Sequence, residues 1–212
     1  MMACERAGRR LLAVTGGLGC GKTEVGRILS RLGWMVCDTD DLARTALAPD
    51  GAAYEAVVAR FGRGILDGHG VIDRARLADF VFNDANARSA LNAIVHPVVR
   101  RSLQDWLNGP ACAGDAVAVV PLLFEAGWNE GWTATVCVVA QPEVVIERLR
   151  RQRGWSEVET RRRMAAQWPV EEKIKRADYI IENNGSLEDL EAQVRRLSDI
   201  VRTQEESRHD VG

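Results

Sequence analysis

A chain of 212 residues, 46% hydrophobic and 27% charged, is long enough to bury a full core as one α/β unit with insertions. Its formal net charge of −2 lacks the basic footprint of a nucleic-acid binder, and no apolar run approaches the length of a membrane span. Five cysteines (Cys4, Cys20, Cys37, Cys112 and Cys137), odd in number and without C-x-x-C spacing, point to reduced thiols in the cytoplasm rather than to a disulfide frame or a zinc site.

Arg6, Arg9 and Arg10 precede an apolar run in the manner of a signal peptide. That run, Leu11-Leu12-Ala13-Val14, is too short for one and reads as a buried strand. It leads into Gly16-Gly17-Leu18-Gly19-Cys20-Gly21-Lys22-Thr23, which fits G-x-x-x-x-G-K-[ST], the phosphate-binding loop. Successive backbone N–H groups of such a loop turn inward on one anion, Lys22 adds a point charge for the outer phosphates, and the Thr23 hydroxyl can ligate Mg²⁺. A helix from Thr23 to Leu32 follows, with Val25, Ile28, Leu29 and Leu32 on its apolar face and Gly33 placed to end it. Lys22, Lys173 and Lys175 are the lysines among 28 basic residues. A chain so given to arginine keeps lysine where a slim, rotatable ammonium fits and a planar fork would not.

Trp34 to Cys37 reads as a second strand ending in Asp38-Thr39-Asp40-Asp41, at the strand end where ligands of doubly wound sheets sit. One of these carboxylates can hold Mg²⁺ and another can accept a hydroxyl proton, while Asp40 or Asp41 also suits the N-cap of a helix over 42–47. Residues 42–108 are mostly helical in pattern, broken at Pro49-Asp50-Gly51 and in the turn-rich stretch Gly62 to Gly70, and interrupted again at Asn83 to Asn86. His96 before Pro97 reads as a turn or core residue rather than a catalyst. Ala116 to Val120 is the clearest buried strand, and Pro121-Leu122-Leu123-Phe124-Glu125 follows it. Glu125 then lies near the same crevice, caps a helix or pairs with an arginine.

Thr135 to Val139 forms a fourth strand, and Pro142 opens a helix that runs into Arg148, Arg150, Arg151 and Arg153, then Arg161, Arg162 and Arg163 after a break at Gly154. Ser156 with Glu159 reads as a capping box. Most of these arginines suit solvated helix faces. One or two, with Arg148 and Arg153 the first candidates, suit a kinase lid that closes on the transferring phosphate, and Trp168-Pro169 marks its end. Ala177 to Ile181 is a fifth strand. Asn183-Asn184-Gly185 then supplies polar contacts to the adenine or is simply a turn. A last helix carries Leu187, Leu190, Val194, Leu197 and Val201 along one side, and from Thr203 onward the tail is polar and expected to fray.

In these residues the chain resembles the dephospho-CoA kinases. The resemblance rests on Thr15 to Thr23, on Asp38-Thr39-Asp40 with Leu42-Ala43-Arg44, and on Leu91-Asn92 through His96-Pro97. It continues in Pro121 to Glu125, Gln152-Arg153-Gly154, Met164 to Gln167 and Ala177 to Gly185, so it runs over almost the whole chain. It implies a P-loop nucleotide-kinase-like α/β fold, a parallel sheet flanked by helices, with a helical acceptor-domain insertion and an arginine-rich lid. The divisions that follow are a core of 10–41, 109–147 and 176–203, an acceptor domain of 42–108, a lid of 148–175 and a flexible tail of 204–212. It also implies γ-phosphoryl transfer from ATP, with Mg²⁺, to the ribose 3′-hydroxyl of dephospho-CoA.

In that scheme Asp40 is the general base, and Lys22 and Arg153 stabilise charge. ATP contacts come from Gly17, Leu18, Gly19, Cys20, Gly21, Lys22, Thr23, Arg148 and Asn183, metal contacts from Thr23 and Asp38, and acceptor contacts from Asp40, Arg44, His96 and Glu125. The departures are Cys20, where Ser or Ala is usual, and Thr39 between the aspartates. Cys20, at a helix N-terminus beside Lys22, either is a reactive thiol or fills a small-residue slot. The expected protein is cytoplasmic, a monomer or weak homo-oligomer, and binds neither nucleic acid nor membrane. The competing readings are a P-loop kinase of another small acceptor such as a nucleoside monophosphate, a GTP switch, for which no N-K-x-D segment is present, and a nucleotide binder without chemistry.

Overall fold

The computed structural model describes residues 9–82 and 84–209. Cys4, Arg6, Asn83 and the last three residues of the expected tail lie outside them, as does the side chain of Cys112. Two compact units divide the described chain: one runs up to Asp38 and resumes at Leu107, and the other is Thr39–Trp106.

The first unit is built on a parallel sheet of β1 (Leu11–Gly16), β2 (Met35–Asp38), β3 (Ala116–Val119), β4 (Ala134–Val139) and β5 (Tyr179–Glu182). The strand order is β2-β3-β1-β4-β5. The near-continuous apolar runs of β1, β3 and β4 suit strands buried on both faces, and Leu12, Val14, Val117, Val136 and Val138 are fully enclosed. β1 lies at the centre, in register with β3 from Leu11↔Ala116 to Val14↔Val119 and with β4 from Leu12↔Ala134 to Gly16↔Val138.

Parallel neighbours need crossovers, and helices supply them. After β1 comes α1 (Lys22–Arg31), whose Val25, Ile28 and Leu29 enter the same core as Leu190, Val194, Leu197 and Val201 of the final helix (Leu187–His209). That helix opens with reciprocal bonds between Ser186 and Asp189, which satisfy two backbone donors of its first turn. Two expectations for it change. Leu187 is exposed rather than on the buried side, because it is the first residue after the cap, and the helix continues past Thr203 to His209.

The second unit contains α2 (Thr39–Ala46), α3 (Tyr54–Phe61), α4 (Arg74–Phe82) and most of α5 (Ala85–Asn108). The stretch Gly62 to Gly70, expected as surface loop, is more ordered than its composition suggests. It holds a 3₁₀ turn at Arg63–Ile65 and a Leu66–Ile72 bridge, with Ile65 and Ile72 buried. Asp73 and Asp84 accept backbone N–H bonds at the starts of α4 and α5. His96-Pro97, expected in a turn or in the core, lies inside α5, with His96 half-buried. Val95, Val99 and Leu103 form a buried stripe on both sides of the proline, and that burial outweighs the local cost of the missing N–H.

The helix that follows β4 (Pro142–Arg153) is here α6. The returning segment then forms α7 (Glu157–Ala165) and a short α8 (Val170–Ile174) before β5, and the last helix is α9. Among the described residues no helix is long and apolar enough to cross a membrane.

Candidate active site

The strand order sets the carboxyl ends of β2, β3 and β1 side by side, and each is followed by a polar segment from the sequence reading. β1 leads into the phosphate loop, β2 ends at Asp38, and β3 leads to Pro121 and Glu125. In open parallel sheets this edge is where ligands bind.

Two glycines fix the loop's course. Gly16 has φ of +143°, and a Cβ there would fall 2.1 Å from the Val138 carbonyl oxygen. Gly21 has φ of +96°, and a Cβ there would fall 2.2 Å from Asn183 Nδ2. Neither position admits a side chain, so the loop lies flush against β4 and the end of β5. Gly17, Leu18 and Gly19 form its outer turn. Leu18 packs against the core, and Gly19 abuts Val145 and Leu149 of α6. Lys22 Nζ donates to the carbonyls of Gly17 at 2.7 Å and Gly16 at 3.2 Å, which keeps the ammonium on the loop. Thr23 stands exposed in the first turn of α1, with the helix dipole behind it.

Asn183 does more than form a turn. It is 6% exposed, its Nδ2 donates to the Cys20 carbonyl at 2.8 Å, and its Oδ1 accepts from Arg148 Nη2 at 3.0 Å. Its neighbour Asn184 accepts from the Gln141 backbone N–H at the start of α6. Loop, β5 end and α6 are thereby joined by three bonds. Among the described residues the buried Arg148 Nη1 has no hydrogen-bond partner, which leaves a donor that suits an anion or an acceptor atom of a nucleotide.

Cys20 fills the small-residue slot. It is 4% exposed, with its Sγ toward the Leu18 carbonyl, and burial closes off the reactive thiol raised as the other possibility. Cys37 and Cys137 are likewise buried. Burial pushes the Cys137 thiol up to about 11, which leaves it protonated and inert at neutral pH.

Among the described residues Glu125 caps no helix and meets no arginine. Its partner is Lys173 of α8, a residue the sequence reading did not single out: Nζ to Oε1 is 2.7 Å, with the ammonium 0% exposed and the carboxylate side chain 14% exposed. Removing either partner alone would strand a charge in the interior, at a cost of ~3–5 kcal/mol. The signal was in the composition, since the argument from scarce lysine that selects Lys22 applies equally to Lys173.

Asp41 is not an N-cap. The helix begins at Thr39, which puts Asp40 and Asp41 inside the first turn of α2, where the dipole favours carboxylates. Asp40 is exposed there, two residues past the end of β2. Arg44 pairs with Asp41 one turn on. His96 is half-buried in α5, and burial lowers its pKa, so the imidazole is neutral at pH 7. On the arginine-rich helices, Arg153 lies 5.0 Å and Arg163 4.2 Å from the Trp155 ring centre. Ser156 caps α7 by accepting from the Glu159 N–H, but the Glu159 carboxylate turns to Arg163 instead of completing the box.

The family model for dephospho-CoA kinase (CoaE) matches residues 10–189. The chain belongs to the dephospho-CoA kinase family. It is 43% identical to the dephospho-CoA kinase of Synechococcus sp. (strain CC9902), over 89% of this chain and 96% of that one. Among solved structures, TT1252 from Thermus thermophilus superposes with a TM-score of 0.76 at 37% identity, covering 90% of this chain and 97% of that one. The dephospho-CoA kinase from Campylobacter jejuni shares the fold, with a TM-score of 0.60 at 23% identity over 92% and 98% of the two chains. The expected kinase fold, a parallel sheet flanked by helices around a phosphate loop, is therefore present in a member of an ATP-dependent kinase family.

Proposed function

We propose that this chain transfers the γ-phosphoryl group of ATP to the ribose 3′-hydroxyl of dephospho-CoA, giving CoA and ADP, the final step of coenzyme A biosynthesis. The observation that carries the reading is the braced phosphate loop, Gly16 to Thr23 held through Asn183 to Arg148, in a chain of the dephospho-CoA kinase family. The loop amides and Lys22 hold the β- and γ-phosphates, and Arg148 uses its spare amino group on the same nucleotide.

Asp40 accepts the 3′-hydroxyl proton as that oxygen attacks the γ-phosphorus in line. The bond from phosphorus to the bridging oxygen breaks, and ADP leaves with the electron pair. Lys22 and Arg153 balance the charge that moves onto the bridging oxygen. Arg153 must first leave Trp155, an exposed cation–π contact worth only ~0.5–1 kcal/mol, which a phosphate readily replaces.

Thr23 and Asp38 are the residues that would hold Mg²⁺. One hydroxyl and one carboxylate fit a cation that keeps several waters and takes further oxygens from phosphates, and among the described residues no group of three or more His, Cys, Asp and Glu forms a closed cage. Bound there, the ion supplies charge neutralisation on the β- and γ-phosphates. The helical region 42–108, with Arg44 and His96, carries the acceptor, and 148–175 acts as the lid. The reading places the enzyme in the cytoplasm, as a monomer or weak homo-oligomer, apart from nucleic acid and membrane.

The test is ADP release with Mg-ATP and dephospho-CoA, AMP, CMP or no acceptor. Stimulation by dephospho-CoA alone, with CoA as product, is expected. Stimulation by a nucleoside monophosphate instead would overturn the acceptor.

A further inference from the structure

Trp168 stands in the turn between α7 and α8 and is 41% exposed. Single exposed apolar side chains are ordinary, so the place of this one decides its meaning. Its backbone N–H donates to Glu125 Oε1 at 3.4 Å, and Lys173 Nζ donates to the same oxygen at 2.7 Å. Lys173 Nζ also donates to the Pro121 carbonyl at 2.9 Å. That carbonyl accepts from Thr15 Oγ1 at 3.2 Å, one residue before the phosphate loop. A continuous run of polar contacts therefore ties the turn that carries the indole to the loop that holds the phosphates.

The indole is also kept in place. Pro169 restricts the backbone of the residue before it and leads into α8 with φ of −50°. The Arg176 guanidinium lies 5.2 Å from the ring centre and is itself held by the Glu172 carboxylate at 2.7 Å and the Glu172 carbonyl at 2.8 Å. A fixed cation thus covers part of the ring, and the rest meets solvent. A tryptophan held this way offers a large flat surface that loses little rotational freedom on binding, and such a surface suits another flat ring. The brace assigned to the nucleotide lies elsewhere. Asn183 and Arg148 belong to the end of β5 and to α6, and β5 and β3 stand on opposite sides of β1. The indole, tied to the turn after β3, serves the other substrate.

In dephospho-CoA the hydroxyl to be phosphorylated and the adenine sit on one ribose. When that hydroxyl lies ~3–3.5 Å from the γ-phosphorus, the purine is one sugar away from the phosphate loop. Resting on the dephospho-CoA kinase reading above, we propose that Trp168 is the stacking platform for the adenine of dephospho-CoA. The indole thereby selects acceptors that carry a purine on the reacting sugar.

The experiment is steady-state kinetics of Trp168→Leu, which keeps apolar bulk without a ring, and of Trp168→Phe, which keeps a ring face. Dephospho-CoA and ATP are varied in turn, and thermal unfolding is recorded for both variants. Adenosine and phosphopantetheine, the two halves of the acceptor, are tested as competitors of dephospho-CoA at saturating Mg-ATP. In Trp168→Leu, KM for dephospho-CoA and Ki for adenosine should rise together by about tenfold. KM for ATP and Ki for phosphopantetheine should stay within about twofold of wild type, and Trp168→Phe should recover most of the loss. An unchanged KM for dephospho-CoA in Trp168→Leu, an equal rise for ATP, or no recovery in Trp168→Phe would overturn the assignment. So would a rise in Ki for phosphopantetheine with that for adenosine unmoved, which would put the indole on the pantetheine arm. Absence of dephospho-CoA-dependent turnover in the wild-type enzyme would overturn the activity and the assignment together, whereas normal turnover with unmoved constants overturns the assignment alone.

Discussion

Asn183 and Lys173, beside the phosphate loop and the turn after β3, find partners far away in sequence, whereas most exposed arginines of α6 and α7 pair within one helical turn. Asn183 reaches Cys20 across 163 residues, and Lys173 reaches Pro121 across 52. On α6 and α7, by contrast, Arg150 and Arg151 pair with Glu147, Arg161 with Glu157, and Arg163 with Glu159, all at i,i+3 or i,i+4 spacing. The difference is one of energetics. A buried long-range bond leaves an unsatisfied group when broken, at ~1–3 kcal/mol, while an exposed helical ion pair is worth ~0.3–0.5 kcal/mol and can be exchanged for another anion. The brace around the phosphate loop is held by buried long-range bonds, and the arginine pairs of α6 and α7 are exposed and exchangeable.

The comparison is sharpened by substitutions on its two sides. The largest effect is expected at Lys22, where Lys22→Ala should lower kcat/KM for ATP by about two to three orders of magnitude, as for other single electrostatic donors. Kinetics within a few-fold of wild type would remove Lys22 from the site. Next is Asn183→Ala, which strips the Cys20 carbonyl and Arg148 of a partner. Urea unfolding should show a loss of ~1–3 kcal/mol, and KM for ATP should rise about tenfold. A loss of stability with unchanged KM would mean that the brace serves only the fold. The smallest effect belongs to Arg161→Ala, expected within ~0.5 kcal/mol in stability and within about twofold in turnover. A large effect there would contradict the exchangeable character of these pairs.

Much of the fold was legible because apolar strands alternate with helices and the glycine spacing of the phosphate loop is contiguous in sequence. What escaped notice depends on distant partners. α8 is five residues long and reads VEEKI, too short and too charged to show a period, and the partner of Lys173 is a carboxylate that follows β3, far from it in sequence. The start of α2 was misjudged because aspartate suits both a cap and a first turn. The turn alternative for His96-Pro97 gave way because the buried stripe of α5 lies on both sides of the proline, and the brace made by Asn183 was not visible because its two hydrogen-bond partners lie on other elements. Local chemistry is visible in the sequence, and long-range polar wiring is not.

The proposed division of labour separates binding by the braced loop from proton removal by Asp40 in the first turn of α2. The most direct measurement is therefore the Kd for Mg-ATP and the kcat of Asp40→Asn side by side. The account predicts a Kd within about twofold of wild type and a kcat lower by about 10²–10⁴. Turnover at the wild-type rate would contradict Asp40 as the base.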